Sequence, residues 1–453
     1  RIFNNTHTMM RTATLFGVLF TMMPFVVHCE EEAALGDVVG DSGVGMAGYI
    51  PPSNVVEHSK IDLDIRDIEN KGSNYAVARV IYEDGLNSRS GDGFRTLQSF
   101  STKYANVDNT AYKQEPFAKL AHEYWGEWDY SNQHILAALE PLDSTKYGDY
   151  KTGKWASTDA VRTQIVKKVI KFQLVWLYAL HELESAYAKY TDTTRTDEER
   201  YGANGAVHAF DEWWAFYVGS LEDGSVESGE TDGDGKGYGP YIAAEKFAEP
   251  FGTEGYVVSN GGKSYVNWEL MFQAHAAQRL LQKAGNEEEL ADVFKCIRAM
   301  MKVPLIQGCI RYAYVTTTKE GTDEFAKYKG EMWAFCSAAL PFLHEADADA
   351  AATVRAETEV SNTASPDFDK IKEAFNGETV NKMGLRCSDI GHLNKKDYKD
   401  ADHKECNDVD LSNENAYADA KICPKIKMPN SGTALRGSWF LSFALVAVAW
   451  VMH

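Results

Sequence analysis

The chain has 453 residues, of which 44% are hydrophobic and 12% aromatic, so it can form one large packed domain or two of ordinary size. Its formal net charge of −20 argues against nucleic acid and anionic membrane surfaces as partners, because no basic patch is present to neutralise phosphates. Such acidity is compatible with binding cations, although solubility accounts for most of the surface charge.

The first recognisable segment is a predicted secretory signal peptide at residues 9–29. A start near Met9 is followed by a basic residue, an apolar run, and Val27 and Cys29 at the −3 and −1 positions of a cleavage site. An N-terminal membrane anchor is the alternative, but the apolar run is short and contains a proline. Residues 30–60 are acidic and rich in glycine, which predicts a flexible leader.

Residues 61–360 alternate helical patterns with polar loops, and no run of alternating strands stands out. One long helical pattern opens with the Ser-Thr-Asp run at 157–159, whose side chains are candidate caps. A second pattern stops at Gly285, and a third contains Pro304, which is expected to bend or break its helix. These patterns predict a mainly α fold, a bundle of repeated helices.

Internal repeats support a bundle built from duplicated units. DEWWAFYVG at residues 211–219 is matched by GEMWAFCSA at residues 330–338, so that Glu212 corresponds to Glu331. HEYWGEWDY at residues 122–130 is a weaker third copy. Each copy combines an acidic residue with an aromatic cluster, and because repeated helices also repeat their packing, the recurrence alone does not show a shared binding role.

The first of these motifs also places polar donors on one helix face. With about 100° per residue, His208, Asp211 and Glu212 share one side of a helix, and Tyr217 lies opposite His208. Acids beside an aromatic wall are typical of a binding site from which water is partly excluded. In the alternative interpretation, the aromatic side chains are ordinary core residues and the acids face water or cap a neighbouring element.

A second group of donors follows one side of the preceding helix, where Tyr178, His181 and Glu182 are aligned and Glu184 is adjacent. Carboxylates and phenolates suit a hard trivalent ion, and imidazole completes such sets in many iron sites. The candidate metal ligands are Tyr178, His181, Glu184, His208, Asp211, Glu212, Tyr217 and, from the repeat, Glu331.

The stretch YEDGLNSRSGDGFRTLQSFST at residues 82–102 is a candidate anion site. A glycine-rich loop, a predicted helix start and two arginines together favour an anion. The candidate residues are Arg89, Arg95 and Thr96. An ordinary polar loop with surface arginines is the alternative interpretation.

Six cysteines remain after the predicted signal peptide is removed, and an even number in an exported chain predicts disulfides. Three of them lie in the main domain and three in a Lys-, Asp- and Asn-rich stretch at residues 366–428, interpreted as a Cys-rich stalk. Each region has an odd number of cysteines, which cannot all pair within that region, so one bridge is expected to link the two regions.

The apolar tail within residues 431–453 is shorter than the roughly 20 residues that span a bilayer, and no Lys or Arg follows it. Small residues, a brief spacer and this tail have the layout of a GPI-attachment signal. A short transmembrane segment is the alternative. Either anchor would hold the protein on the outer face of the plasma membrane.

Common catalytic motifs are missing from the sequence. It contains no Glu-x-x-His pattern of a di-iron bundle, no His-Glu-x-x-His, no G-x-S-x-G and no P-loop. Nothing points to a nucleophile, and the chain is therefore predicted not to be an enzyme.

The 82–102 loop, HAFDEWWAFYVGS and GEMWAFCSAALPFL, in this order on an exported acidic chain, resemble the algal Fe-assimilating protein family, which includes the phytotransferrins. The resemblance covers roughly residues 60–360. It implies low-iron-induced iron acquisition at the cell surface or periplasm, with Fe(III) bound together with carbonate and then internalised. It thereby gives the arginine loop a role as the carbonate site and suggests endocytic or cell-surface iron-uptake partners.

The resemblance supplies no ligand list, so the candidate ligands rest on the residue patterns alone. Two competing functions remain. One is a structural or adhesive coat protein without a stoichiometric metal, and the other is a surface enzyme such as a reductase or a carbonic anhydrase.

Overall fold

The computed structural model describes residues 46–105, 111–140, 158–220, 237–255 and 263–393, together with residues 398, 406 and 423. The predicted signal peptide at 9–29 and the predicted anchor signal at 431–453 lie outside the described residues. In the part of the chain that the structure describes, no helix combines the length and the apolarity needed to cross a membrane.

The fold is mainly α, as the helical spacing predicted. The helices in the first half are α1 (Val56–Ser59), α2 (Ile61–Lys71), α3 (Tyr75–Asp84), α4 (Leu97–Ala105), α5 (Pro116–Trp125), α6 (Tyr130–Leu139), α7 (Asp159–Val169), α8 (Trp176–Thr191), α9 (Asp197–Tyr201) and α10 (Ala206–Val218). Those that follow are α11 (Tyr241–Phe251), α12 (Tyr265–Leu281), α13 (Glu287–Thr318), α14 (Phe325–Ala346), α15 (Ala348–Thr358), α16 (Phe368–Ala374), α17 (Gly377–Lys382) and α18 (Cys387–Ile390).

Short elements complete the described secondary structure. Two strands, β1 (Arg89–Ser90) and β2 (Gly93–Phe94), pair antiparallel as a small hairpin between α3 and α4. A 3₁₀ turn covers Tyr112–Gln114, and a π-helical segment, Ile170–Val175, joins α7 to α8. The predicted cap is present at Thr158, whose side chain accepts a hydrogen bond from the N–H of Val161.

The repeated motif lies on two tightly packed helix pairs. Helix α8 packs along α10, and α13 packs along α14. Trp213 and Trp214 of α10 are fully buried, and Trp333 of α14 is nearly so. The aromatic residues of both copies therefore form core, which agrees with the alternative interpretation of these side chains. Pro304 lies inside α13 and does not end it, so the expected break is absent.

Residues 46–60, predicted to belong to a flexible leader, are packed against the domain. Met46, Tyr49 and Val55 are buried, and the indole Nε1 of Trp214 donates to the carbonyl O of Met46 at 2.8 Å. Composition misled the prediction here because the few apolar residues that anchor the segment are scattered among glycines and polar residues. The rest of the predicted leader that precedes residue 46 lies outside the described residues.

Three disulfides join the six cysteines as Cys296–Cys423, Cys309–Cys336 and Cys387–Cys406. The first is the predicted bridge between the main domain and the C-terminal cysteines. Helices α16 and α18 pack on α13, so the described beginning of the predicted stalk is docked on the bundle.

Replacing Lys302 with Met is expected to stabilise the fold at neutral pH. Lys302 is buried, its Nζ donates to the carbonyl O of Met383 at 2.8 Å, and the charge of Glu345 offsets the cost of its burial only in part. Burial lowers the pKa of Lys302 from 10.5 to about 8. The folded state therefore binds this proton less tightly than the unfolded state, and stability rises with pH between about 8 and 10.5.

Below pH 8 this difference in pKa lowers the free energy of unfolding by its full amount, on the order of 3 kcal/mol. The orphaned carbonyl of Met383 offsets part of the gain, so we expect the variant to be more stable by about 1–3 kcal/mol at pH 7. Chemical denaturation at pH 7 and pH 10 measures this difference. An equal gain at both values would contradict the explanation.

Candidate metal centre

Three side chains converge at the interface between α1 and α10. The ligand atoms of His58, His208 and Glu212, here called the metal cluster, all lie within 4.8 Å of one another. Oε1 of Glu212 is 2.7 Å from Nε2 of His58 and 3.2 Å from Nε2 of His208. Two imidazoles and a carboxylate that share one point are a recurrent donor set for metal ions.

Helical spacing explains how α10 serves both the core and this cluster. His208 and Glu212 are four residues apart and project from the same face, and Phe216 continues that face toward His58, whose ring centroid is 5.7 Å away. Trp213 and Trp214 point to other faces and are buried. One helix therefore places a polar cluster beside an aromatic wall.

Helix α8 adds a chain of hydrogen bonds that ends at the cluster. Nζ of Lys103 donates to the phenol oxygen of Tyr178 at 2.6 Å, the hydroxyl of Tyr178 donates to Glu182, and the Glu182 carboxyl group donates to Glu212. Burial, followed by the charge of Glu212, raises the pKa of Glu182 well above its usual value. Burial opposes ionisation of Glu212 too, but hydrogen bonds from His208 and His58 hold its pKa far below the usual range.

The two carboxyl groups therefore share one proton, which resides on Glu182, while Glu212 is ionised. A metal ion beside Glu212 would replace that proton as the positive charge between them. The pair thus supplies a second oxygen donor once the proton leaves.

His58 has conflicting contacts that a cation and an anion would resolve. Its Nε2 contacts both Oε1 of Glu212, which can only accept a hydrogen bond, and a guanidinium nitrogen of Arg95, which can only donate one. One ring nitrogen cannot serve both. Nδ1 of His58 is buried and has no hydrogen-bond partner among the described residues. A cation between the imidazoles and Glu212, with an anion against Arg95, satisfies this set.

His181 lies at the Glu182 side of the cluster. Its Nδ1 is 2.6 Å from Oε1 of Glu115, and its Nε2 is 3.9 Å from Oε1 of Glu182. Burial and, to a lesser degree, the charge of Lys103 lower the pKa of His181 to about 3, so the imidazole is neutral. Neutral imidazole is the form that binds metals.

Asp211 has a different role from its neighbour Glu212. Its Oδ1 accepts from the hydroxyl of Tyr49 at 2.6 Å, and its Oδ2 accepts from the N–H and the hydroxyl of Ser53 at 2.9 and 2.6 Å. Burial raises the pKa of Asp211 to about 6. The structure therefore places this carboxylate behind the cluster, where it holds the N-terminal segment.

Three further predicted ligands are not brought to the cluster. Glu184 forms two hydrogen bonds with the guanidinium of Arg298, at 2.5 and 2.8 Å. The hydroxyl of Tyr217 donates to Asn267 at 2.7 Å. The third, the repeat-related Glu331, lies 3.6 Å from Nζ of Lys168 in another part of the bundle. Glu184 and Tyr217 do not reach the cluster, because each lies on a different face of its helix from the side chains that converge there.

Of the residues predicted to bind an anion, some lie at the metal cluster and others do not. Arg95 contacts His58, and Thr96 precedes α4 and accepts a hydrogen bond from the N–H of Ser99 at 3.2 Å. The guanidinium of Arg89 instead lies over the ring of Phe94, 5.6 Å from its centroid. Arg89 reaches the site only through its backbone carbonyl, which accepts from Arg95.

The sequence analysis aligned Glu182 with Tyr178 and His181 but left it out of the candidate ligands, and it did not single out His58, Lys103 or Glu115. The spacing of Tyr178 and Glu182, four residues apart on one helix, was a usable signal for Glu182. His58 carried none, because its approach to α10 depends on the packing of the N-terminal segment.

A second group of donor atoms comes from Glu269, Cys296 and Cys423. The two sulfurs are joined in a disulfide, so neither is available as the thiolate that binds metals. This group is not a metal site in the oxidised protein.

Comparison with protein families found a match to a family described as low iron-inducible periplasmic protein, over residues 31–412. The match extends beyond the 60–360 resemblance and includes His58 together with every other residue of the metal cluster. A search of curated proteins and a search of solved structures each found no significant match.

Proposed function

This chain belongs to the low iron-inducible periplasmic protein family, which matches the Fe-assimilating proteins, and on that premise we propose that it binds ferric iron at the metal cluster for high-affinity iron acquisition. The observation that carries the proposal is the convergence of His58, His208 and Glu212 beside the Tyr178–Glu182 pair. The protein acts as a binding protein and not as an enzyme.

The donor set suits Fe(III) because carboxylate and phenolate oxygens are hard ligands. Binding of the ion expels the proton shared by Glu182 and Glu212 and the phenol proton of Tyr178. The ammonium group of Lys103, 2.6 Å from the phenol oxygen, stabilises the phenolate that remains. His181 is held neutral by burial and completes the set of donors on this side.

Carbonate is the proposed second ligand, placed between the iron and Arg95. Arg95 and Thr96 immediately precede α4, and the guanidinium of Arg95 contacts His58 of the metal cluster. The backbone carbonyl of Arg89 orients the guanidinium. A planar dianion bound there would neutralise part of the charge that Fe(III) brings.

The family name places these proteins in the periplasm, and we propose that this chain works at the outer face of the plasma membrane, held there by the predicted tail. The iron-loaded protein would be passed to endocytic or other cell-surface iron-uptake partners. Release of the mature protein from intact cells by a phospholipase that cleaves GPI anchors tests the mode of attachment.

Ferric titration with and without bicarbonate tests the function. We expect one Fe(III) per chain, a visible charge-transfer band from the Tyr178 phenolate, and tighter binding when bicarbonate is present. The absence of stoichiometric metal under both conditions would favour the structural or adhesive coat protein.

Replacing Arg95 with Gln is expected to weaken ferric binding about 10–100-fold in bicarbonate, the equivalent of one charge-assisted hydrogen bond. The dependence on bicarbonate should disappear at the same time. Arg89→Gln is the matched control, because the Arg89 guanidinium is exposed and rests on Phe94. If Arg89→Gln removed the bicarbonate dependence and Arg95→Gln kept it, the carbonate site would be misplaced.

A further inference from the structure

The hydroxyl of Ser53 links two side chains of α10, those of Asp211 and His208. Its Oγ lies 2.6 Å from Oδ2 of Asp211 and 2.9 Å from Nδ1 of His208. Ser53 and Asp211 are buried, whereas His208 is partly exposed at the cluster. The hydroxyl therefore stands between a buried carboxylate and a proposed metal ligand.

The direction of these hydrogen bonds follows from the number of protons available. Asp211 already accepts from Tyr49 and from the N–H of Ser53, and an ionised carboxylate can only accept. The single hydroxyl proton of Ser53 therefore points to Asp211. What remains toward His208 is a lone pair of Oγ, so Nδ1 of His208 must carry a proton and donate it.

The other ring nitrogen of His208 faces the cluster, with Nε2 3.2 Å from Oε1 of Glu212. In the metal-free protein Nε2 also donates to the ionised Glu212, and a metal that took the place of this proton would meet a neutral imidazole whose remaining proton is on Nδ1. Histidine ligands in proteins usually donate their second N–H to a carboxylate, a carbonyl or water, which fixes the tautomer and the ring plane.

We propose that Ser53, oriented by Asp211, is a positioning residue that fixes the tautomer and ring orientation of His208 for metal binding. The inference rests on the proposed ferric site and assigns a role to a segment outside α10. It also explains why Asp211 stays ionisable in a buried position beside two tryptophans. Asp211 acts on the metal through Ser53 and His208, and not as a ligand.

Ser53→Ala removes the acceptor for Nδ1 and is expected to weaken ferric binding about 10–100-fold, the usual effect of removing an outer-shell partner. Tyr49→Phe is the matched control, because it removes a 2.6 Å hydrogen bond to the same carboxylate from the same segment and leaves Ser53 and His208 intact. It should bind iron within a few-fold of the parent. Ser53→Thr keeps the hydroxyl and should restore most of the affinity.

The position of the proton on the His208 ring is a second readout. It would not change if Ser53 served only to hold the N-terminal segment against Asp211. Gallium(III) serves as a diamagnetic substitute for Fe(III), and ¹⁵N NMR of the imidazole nitrogens then shows which one carries the proton. In the parent and in Tyr49→Phe, the proton should reside on Nδ1. In Ser53→Ala, the proton of the metal-bound imidazole should no longer reside on Nδ1 alone. If the alanine variant does not fold, Asp211→Asn should show the same change.

The proposal is overturned if Ser53→Ala binds iron as tightly as the parent, or if Tyr49→Phe is weakened as much as Ser53→Ala. Either result leaves the ferric site itself in place, provided that the parent binds iron and Glu212→Gln does not. A parent chain that binds no iron overturns both the function and this role of Ser53.

Discussion

Glu212→Gln is expected to weaken ferric binding by at least about 100-fold, more than the usual loss of an outer-shell partner. Oε1 of Glu212 lies at the centre of the cluster, 2.7 Å from His58 and 3.2 Å from His208, and it carries the negative charge of the Glu182–Glu212 pair. The amide has the same shape but no charge, and it can turn an N–H toward the imidazoles. Isothermal titration with Fe(III) in bicarbonate measures the loss.

Glu331→Gln is the matched control for this variant, because Glu331 occupies the corresponding position of the repeated motif. Nζ of Lys168 is 3.6 Å from its carboxylate, and Tyr312 is near both charges, so a side-chain cation already pairs with this acid. We expect Glu331→Gln to keep the parent affinity and a stoichiometry of one iron. Loss of a second iron in this variant would show that both repeats bind metal.

Loss of binding in Glu212→Gln must also be separated from loss of structure. The circular dichroism spectrum and the thermal midpoint of the iron-free variant should match those of the parent within a few degrees. If the variant folds and still binds iron as well as the parent, the metal cluster is not the iron site.

The sequence contained most of the information needed for the helical fold, because apolar spacing and caps are local properties. The duplicated motif likewise predicted two aromatic helices that pack in corresponding ways, and cysteine counting predicted a bridge between the two regions. Pro304 shows the limit of local rules, since tertiary packing keeps α13 continuous through it.

The candidate site was predictable only in part. Helical spacing brought His208, Glu212, Tyr178 and His181 into the candidate set, and all four lie at or beside the cluster. The same spacing aligned Glu182 with Tyr178 and His181, but the ligand list took the adjacent Glu184, although Glu182 is the acid of α8 that faces the site. Contacts between distant segments, such as His58 on Glu212, have no local signature in a single sequence.

The two adjacent acids in DEWW are thus explained by the different partners that they contact. Glu212 faces the two imidazoles, and Asp211 faces Tyr49 and Ser53 of the N-terminal segment. The tryptophans that follow hold the helix in the core, so that both carboxylates keep fixed positions. The strength of that anchoring can be measured through Trp214.

Trp214→Ala is expected to destabilise the protein by about 3–5 kcal/mol, the usual cost of deleting a buried tryptophan side chain. Trp214 is fully buried, its ring centroid lies 5.7 Å from that of Tyr49, and its Nε1 donates to the carbonyl O of Met46. The alanine variant leaves a cavity and an unpaired carbonyl. Urea denaturation of the iron-free protein measures the change in the free energy of unfolding.

A milder pair of variants shows whether this anchoring also supports the iron site. Trp214→Phe and Trp213→Phe each remove a buried indole N–H, which donates to Met46 in one case and to the sulfur of Met301 in the other. Only the first loosens the segment that carries Ser53 and His58. A lost hydrogen bond costs about 0.5–1.5 kcal/mol, so we expect Trp214→Phe to lower ferric affinity by up to about tenfold and Trp213→Phe to leave it unchanged. Equal affinities in the two variants, with equal stabilities, would mean that the N-terminal segment is held at the cluster without the hydrogen bond from Trp214, by contacts such as those with Asp211 and Glu212.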